Sequence, residues 1–314
     1  MERVPMLIDC DPGVDDSIAL MVASQRADLV GITTVNGNVG IDATTHNALA
    51  VMEVVGLDVP VHRGAARPLI SPTVDARHVH GPTGLGSVEI AQPSRTEQSA
   101  EAVDFICDMA RSVPHLHLVA IGPLTNIALA LRRDPNLPNH LGGFTIMGGS
   151  HRGGNVTATA EFNIWADPEA AAIVFAEMGM LTMVGLDITH QVLLGDTERD
   201  RLRAAGTPCA VLAADLLDHA VAKAGEIRGW SGAPIHDATA VIAALEPDLF
   251  SGHNRPVSIE LNGSHTRGMT VIDERPGGID GLSSAVVNAN VLHTVRAETV
   301  VTEIIDAVIA LDHR

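Results

Sequence analysis

Short apolar stretches rich in β-branched residues alternate along the chain with longer stretches in which apolar positions recur at helical spacing. The first pattern predicts strands and the second predicts helices. Predicted strands cover residues 4–8, 29–35, 59–62, 115–121, 144–147 and 181–186. Predicted helices cover residues 17–23, 43–55, 99–111, 127–132, 168–177, 197–205, 209–224, 236–245 and 298–311. This alternation is typical of an α/β fold with an open, mainly parallel sheet and helices on both faces.

Three other segments complete the pattern. We predict a late hairpin formed by residues 257–261 and 269–272. We also predict that the Gly-rich segment 226–234 is a mobile loop between two helices. Residues 64–94 form a long connection rich in Pro, Gly and polar residues, and loops of this length are often functional. No internal repeat or clear linker interrupts the sequence, so we expect one domain over residues 1–314.

The composition narrows the classes of partner. The formal net charge is −18 and Lys223 is the single lysine, so the surface should repel nucleic acid and anionic lipid. No apolar run reaches the roughly 18 residues of a membrane helix, and no export signal is visible. The three cysteines lack the spacing of a metal or disulfide framework. We therefore expect a cytoplasmic protein with a neutral small-molecule partner, and no nucleic-acid or membrane partner.

Four carboxylates follow the first predicted strand within eight residues: Asp9, Asp11, Asp15 and Asp16. A Pro-Gly pair between them fits a sharp turn. Such a concentration of negative charge is costly unless a cation lies among it. Oxygen ligands in a short loop suit Ca²⁺ or Mg²⁺, and the carboxyl end of a strand is where open α/β sheets hold their ligands. The segment is therefore a candidate metal site.

Other interpretations of the acidic segment differ in strength. An EF-hand is excluded because, counting from the first aspartate, Leu20 stands where the bidentate Glu belongs. A phosphatase of the haloacid dehalogenase type stays open, since the first two aspartates have its nucleophile spacing and residues 195–200 (GDTERD) mimic its late acidic motif. Against it, Gly13 replaces a Thr or Val, and Lys223 follows the late motif instead of preceding it. A solvated acidic turn that caps the next helix is the third possibility.

An ordered set of motifs resembles the inosine–uridine-preferring nucleoside hydrolase family. Each motif alone is weak, but the set spans nearly the whole chain in one order. The motifs are 9–16 (DCDPGVDD), 35–38 (VNGN), 80–81 (HG), 121–126 (IGPLTN), 147–149 (MGG), 154–157 (GNVT), 160–163 (AEFN), 167–170 (DPEA), 234–237 (PIHD) and 266–271 (TRGMTV). The resemblance implies the nucleoside hydrolase fold, with a Rossmann-like core.

The family hydrolyses the N-glycosidic bond of ribonucleosides to free base and ribose, with one Ca²⁺ per subunit at the bottom of its pocket. The resemblance implies that the metal ligands are Asp11, Asp16, the main-chain carbonyl of Ile121, and Asp237. It also implies that Asp11 is the general base, which takes a proton from a Ca²⁺-bound water. These donors are chemically suitable because Ca²⁺ takes about six to eight oxygen ligands.

The resemblance further implies a polar shell around the ribose. The residues expected at the 2′- and 3′-hydroxyls are Asp15, Asn38, Asn163 and Asp237. Those expected on the 5′ side are Asn155 and Glu161, with Met147 and Phe162 nearby. Buried groups built for hydroxyls reject analogues that lack them, so we expect poor turnover of 2′-deoxyribonucleosides.

Two histidines are candidates for contact with the base. His236 resembles the family's leaving-group histidine, and His is the usual proton donor near neutral pH. His80 is a second candidate on the base side. Several family members contact the base through a Tyr, but this chain has no Tyr. Trp230 or Arg228 could replace it, so the base preference stays open, with a slight lean toward pyrimidine nucleosides.

The same polar shell would also serve a nucleoside- or ribose-binding protein without catalysis. The intact Asp11 beside the acidic loop and the lack of a visible export signal favour the hydrolase. Release of free ribose from nucleosides distinguishes the two. The resemblance also implies a homodimer or homotetramer.

Overall fold

The computed structural model describes residues 3–275 and 286–313. The strands of this part are β1 (Pro5–Cys10), β2 (Asp28–Thr34), β3 (Val61–Arg63), β4 (His117–Ala120), β5 (Gly143–Met147), β6 (Leu181–Val184), β7 (Leu193–Leu194), β8 (Ala233–Pro234), β9 (Phe250–Arg255), β10 (Val257–Ile259), β11 (Thr270–Ile272) and β12 (Ala289–Val295). The helices are α1 (Val14–Arg26), α2 (Ile41–Val55), α3 (Arg77–His80), α4 (Ala102–Ser112), α5 (Thr125–Arg133), α6 (Leu137–His140), α7 (Phe162–Ala166), α8 (Pro168–Glu177), α9 (Leu186–Thr189), α10 (Asp196–Ala205), α11 (Pro208–Arg228), α12 (His236–Leu245) and α13 (Ala297–Ile309). Two 3₁₀ turns cover Pro247–Leu249 and Ala310–His313.

Eight strands form one sheet in the order β3-β2-β1-β4-β5-β6-β12-β9. Neighbouring strands are parallel except for β9, which runs antiparallel to β12 at the edge. Two short antiparallel pairs, β10 with β11 and β7 with β8, lie outside this sheet. The predicted open, mainly parallel sheet is confirmed, and so is the late hairpin.

Helices cover both faces of the sheet because the side chains of its strands alternate in direction. On β1, Met6 and Ile8 belong to the core cluster that contains α1, α2, α11, α12 and α13, whereas Leu7 belongs to the cluster with α4, α5 and α8. Successive side chains of a strand point to opposite faces, so one central strand serves both cores. In the described part, no helix has the length and apolar character needed to cross a bilayer.

Several predicted boundaries are wrong. The strand predicted over 181–186 ends at Val184, and α9 begins at Leu186. The helix predicted to end at 224 continues to Arg228, and Gly229, whose φ is +68°, is its C-cap. The expected loop over 226–234 is therefore shorter, and its last two residues belong to β8.

The hydrophobic pattern also missed β9 and β12, which complete the sheet beyond β6. β9 contains Ser251, His253 and Asn254, and much of it is exposed because it pairs with one neighbour only. An edge strand with polar side chains gives no clear alternation, so the pattern does not mark it.

Candidate active site

The order of the strands reverses next to β1. β2 and β3 lie on one side of it, while β4, β5 and β6 lie on the other. Open α/β sheets bind ligands outside the carboxyl ends of the strands at such a reversal. A cavity of about 320 Å³ opens there. Asp11 follows β1, Ile121 follows β4 and Met147 ends β5, so adjacent strands bring these residues to one edge.

The residues predicted to bind substrate or metal come together at this cavity. Those that line it are Asp15, Asn38, His80, Ile121, Met147, Asn155, Glu161, Phe162, Asn163, His236 and Asp237. Asp11 and Asp16 are buried next to the lining, where Asp16 Oδ1 accepts the backbone N–H of Asp11 at 3.1 Å. Residues that are far apart in the sequence therefore share one site.

Carboxylates from the first turns of two helices come together at the cavity. Oxygen atoms of Asp15 and Asp16 in α1 and of Asp237 in α12 lie within 4.8 Å of one another. Asp16 Oδ2 accepts the backbone N–H of Gly13 at 2.9 Å, which caps α1, and the amide of Asn38 at 3.0 Å. Helix N-termini favour negative charge, which partly explains how these acids are tolerated together.

Asp11 is fixed beside this group by close backbone contacts. Its Oδ2 accepts the backbone N–H of Asn38 at 2.6 Å, and its Oδ1 is buried with no hydrogen-bond partner among the described residues. A Cβ atom at Gly122 would lie 2.6 Å from Oδ1, and one at Gly37 would lie 2.7 Å from the Asp11 Cγ. Both glycines are therefore needed for the chain to pass this carboxylate so closely.

Burial and repulsion by neighbouring carboxylates disfavour ionisation of Asp11, Asp16 and Asp237. Burial, followed by the charge of Asp16, raises the pKa of Asp11 well above its usual range. Burial and the charge of Asp15 raise the pKa of Asp16 to about 7. Burial and the three other aspartates raise the pKa of Asp237. In the described residues, no Lys or Arg forms an ion pair with these carboxylates, so a cation is the natural counter-charge.

The donor set fits a hard divalent cation such as Ca²⁺. The acidic group offers carboxylate oxygens, and the unpartnered Asp11 Oδ1 adds another. The carbonyl of Ile121 accepts one hydrogen bond, from the amide of Asn163 at 2.8 Å, and a carbonyl oxygen has a second lone pair. All of these donors are oxygens, which Ca²⁺ prefers over nitrogen or sulfur.

Asp9 does not belong to this acidic group. Its side chain lies within β1, where Oδ1 accepts the hydroxyl of Thr33 at 2.6 Å and the amide of Asn126 at 2.7 Å. Burial raises the pKa of Asp9 to about 7 in spite of these two hydrogen bonds. The sequence placed Asp9 in one acidic segment with the three later aspartates, but its side chain instead connects β1 to β2 and α5.

The polar shell above the acids is held in place by backbone contacts. The amide of Asn163 donates to the carbonyls of Ile121 and Met147, at 2.8 and 3.1 Å. Glu161 caps α7, accepting the backbone N–H groups of Asn163 and Ile164, and it also accepts that of Gly149. Burial raises the pKa of Glu161 to about 7.

Asn155 and Phe162 approach the cavity from the loop before α7 and from its start. Asn155 Oδ1 accepts the backbone N–H of Phe162 at 2.9 Å. This bond connects the loop around residue 155 to the first turn of the helix.

Two histidines line the cavity in different hydrogen-bonding states. His80 Nδ1 accepts the backbone N–H of Val14 at 3.2 Å, so its ring proton lies on Nε2. His236 Nδ1 lies 2.7 Å from the Thr189 hydroxyl, which can donate or accept. Burial lowers the pKa of both rings, and the charge of Asp15 opposes this shift.

The lining residues that were not predicted from the sequence include His190 and His219. The ring centroid of His190 lies 5.0 Å from that of Trp230 and 5.8 Å from that of His236, in edge-on contacts. The Arg228 guanidinium lies 5.7 Å from the Trp230 ring centroid. His190 closely follows the predicted strand 181–186, on the side of the carboxyl ends, where open α/β sheets bind ligands, so this position was a usable signal. His219, in mid-helix, gave none.

Known proteins share both the sequence and the fold. The family described as inosine-uridine preferring nucleoside hydrolase matches residues 6–302. A pyrimidine-specific ribonucleoside hydrolase of Photobacterium profundum is 42% identical over 274 residues, covering 86% of this chain and 88% of that protein. An inosine-uridine preferring nucleoside hydrolase of Leishmania major is 40% identical over 276 residues, covering 86% and 88%.

A solved structure gives the same result. The purine-preferring ribonucleoside hydrolase from Gardnerella vaginalis matches with a TM-score of 0.91 and 32% identity, covering 98% of each chain. A match over nearly the full length favours the hydrolase over the phosphatase and over the non-catalytic binding protein. The chain belongs to the inosine–uridine preferring nucleoside hydrolase family and is an enzyme of the ribonucleoside hydrolase (N-glycosidase) class.

Proposed function

We propose that this hydrolase is Ca²⁺-dependent and that Asp11 is its catalytic base. The observation that supports this most is Asp11 Oδ1, a buried oxygen without a hydrogen-bond partner in the described part, beside three more carboxylates. Asp11, Asp16, Asp237 and the carbonyl of Ile121 would hold one ion per subunit. When bound, Ca²⁺ would polarise a water molecule and lower its pKa.

Asp11 accepts a proton from the attacking water in this proposal. A positioned base contributes roughly 10²–10⁴-fold to the rate. Cleavage of the glycosidic bond builds positive charge on the ribose ring, and the carboxylates around it stabilise that charge. The acidity of the site therefore serves both the ion and the reaction.

The polar shell binds the ribose. Asp15, Asn38, Asn163 and Asp237 meet the 2′- and 3′-hydroxyls, while Asn155, Glu161, Met147 and Phe162 surround the 5′ side. The rigid hydrogen bonds of Asn163 and Glu161 to the backbone support this assignment, since a preorganised polar group loses little freedom on binding.

His236 donates a proton to the departing base, and His80 contacts the base. The hydrogen-bonding states of the rings support this division. Protonation of His80 at Nδ1 would break its bond from Val14, whereas the Thr189 hydroxyl beside His236 accommodates either state.

In a His236→Ala variant we expect kcat to fall while substrate affinity changes little. Unchanged turnover of both inosine and uridine would contradict the proposed role of His236 as the proton donor.

Release of free ribose from uridine and inosine, before and after chelation, tests the metal. We expect the activity to disappear with exhaustive chelation and to return when Ca²⁺ is added back. Activity that survives complete removal of divalent ions would contradict the proposed role of the ion, although not the hydrolase class.

We propose pyrimidine ribonucleosides as the preferred substrates. The specificity named for the relative from Photobacterium profundum supports this, and so do the two histidines on the base side. A panel of uridine, cytidine, inosine and guanosine, with 2′-deoxyuridine as the control for ribose recognition, measures the preference. Higher kcat/KM for the purines would contradict it, and equal rates on uridine and 2′-deoxyuridine would contradict the assigned ribose contacts.

We also propose a cytoplasmic homodimer or homotetramer, as the sequence resemblance implies. Light scattering of the purified protein measures its mass in solution. A monomer at micromolar concentration would contradict this assembly.

A further inference from the structure

His80 is the last residue of α3, and the loop that follows it is a closed turn. Gly86 donates its backbone N–H to the carbonyl of His80 at 2.7 Å, and Gly81 donates to that of Arg77 at 2.9 Å. Gly81 and Gly86 have φ values of +74° and +65°, which favour glycine. The backbone that follows His80 therefore depends on a tight conformation with two positive φ angles.

His219 of α11 holds this loop at two points. Its Nε2 lies 2.8 Å from the carbonyl of Val79, and because a carbonyl only accepts, the ring proton lies on Nε2. This carbonyl belongs to the one-turn helix α3, whose last carbonyls lack helical partners. The same ring packs against Gly86, where a Cβ atom would lie 2.6 Å from His219 Nδ1.

The two contacts bracket His80 in the sequence. Val79 precedes it, and Gly86 closes the turn after it. On its other side, the His80 ring accepts the backbone N–H of Val14, the first residue of the helix that carries Asp15 and Asp16. His80 is thus held between α1 and α11. His219 also lines the cavity itself, one turn before Lys223 on the same helix.

We propose that His219 is a positioning residue, which fixes the His80 imidazole for contact with the base through its hydrogen bond to Val79 and its packing on Gly86. This inference rests on the proposed role of His80. α11 then does more than line the cavity, because its His219 fixes the position of the His80 side chain, which belongs to α3.

Two substitutions separate the hydrogen bond from the packing. His219→Phe keeps an aromatic ring against Gly86 but removes the donor to Val79. His219→Gln retains an N–H donor at a similar distance from the backbone. We expect His219→Phe to lower kcat/KM for uridine about tenfold, the range of one lost hydrogen bond, and His219→Gln to recover most of that loss. His253→Phe, on the distant edge strand β9, is the control for a His-to-Phe change.

A double-mutant cycle with His80→Ala tests whether the effect passes through His80. We expect His219→Phe to lower kcat/KM in the wild-type background and to have no further effect when His80 is Ala. If both single changes lower kcat/KM and their effects multiply, the positioning role is wrong while the role of His80 stands. If His80→Ala alone has no effect, the role of His80 is wrong, and the inference falls with it.

Thermal midpoints measured in parallel identify a purely structural effect: a lower midpoint with unchanged kcat/KM for His219→Phe would overturn the proposal.

Discussion

Asp9 and Asp11 are separated by one residue, yet their surroundings give them different tasks. Asp9 lies inside β1, and its Oδ1 meets a hydroxyl and an amide of neighbouring elements. Asp11 lies past the end of the strand, where its carboxylate meets the backbone of Asn38 and the charges of Asp15 and Asp16. The end of the strand therefore divides a structural aspartate from the proposed catalytic one.

Asp9→Asn and Asp11→Asn form a matched pair that measures this division. Asp11→Asn removes the proton acceptor, so we expect kcat to fall by at least about 10²-fold. Asp9→Asn keeps an oxygen for Thr33 and Asn126, so we expect a loss of about 1–3 kcal/mol in the free energy of unfolding and a much smaller change in kcat. Steady-state kinetics and urea unfolding measure the two quantities. Similar losses of kcat in both variants would refute the distinction.

At the scale of elements, the site depends on turns that let the backbone approach a side chain. The turn between β2 and α2 contains Gly37, against which the Asp11 carboxylate packs, and Gly40, where an added Cβ would have no atom within 4 Å. Two glycines three residues apart thus differ in what they permit. The first allows close approach to the proposed base, and the second is the N-cap of α2.

Gly37→Ala and Gly40→Ala provide an internal comparison. The added methyl group at Gly37 displaces Asp11, and a displacement of about 1 Å at the reacting groups costs roughly 10²-fold, so we expect such a loss in kcat/KM. Gly40→Ala meets no atom, so we expect near wild-type kcat/KM. Its less favourable N-cap lowers the free energy of unfolding by at most about 1 kcal/mol. Nearly equal kcat/KM for the two variants would show that the close approach at Gly37 is unimportant.

The sequence predicted the elements near the site better than those at the edge. The acidic turn, the strands β1, β2, β4 and β5, and the helix that begins at His236 follow from clear apolar runs and turn residues. β9 was missed because Ser251, His253 and Asn254 interrupt its apolar pattern. The contact between His219 and the His80 loop was beyond prediction, because it joins two segments through tertiary packing that no local pattern encodes.

At the scale of the whole molecule, the proposed metal ligands come from segments that are distant in the sequence. Asp11 and Asp16 follow the first strand, Ile121 follows β4, and Asp237 lies in the first turn of α12. Only the folded chain brings these groups together. An ion that binds all of them stabilises the folded state and has far weaker affinity for the unfolded chain.

Calcium should therefore raise the thermal midpoint of the protein. At a concentration 100 times its Kd, a ligand adds about 2.7 kcal/mol to the free energy of unfolding. We expect the midpoint to rise by several degrees in the wild type and by much less in Asp237→Asn, which loses one carboxylate ligand. Differential scanning calorimetry with and without Ca²⁺ measures both shifts. An equal shift in the two proteins would mean that the ion binds elsewhere.

The position of β12 has a consequence for how the enzyme is made. This strand comes last in sequence among those of the described residues, yet it lies between β6 and β9 instead of at an edge. A ribosome releases the chain from its N-terminus, so the sheet stays interrupted until residue Val295, the end of β12, has emerged. A nascent or prematurely terminated chain that lacks this strand leaves β6 and β9 without their shared neighbour, and such open edges are targets for aggregation and for quality control.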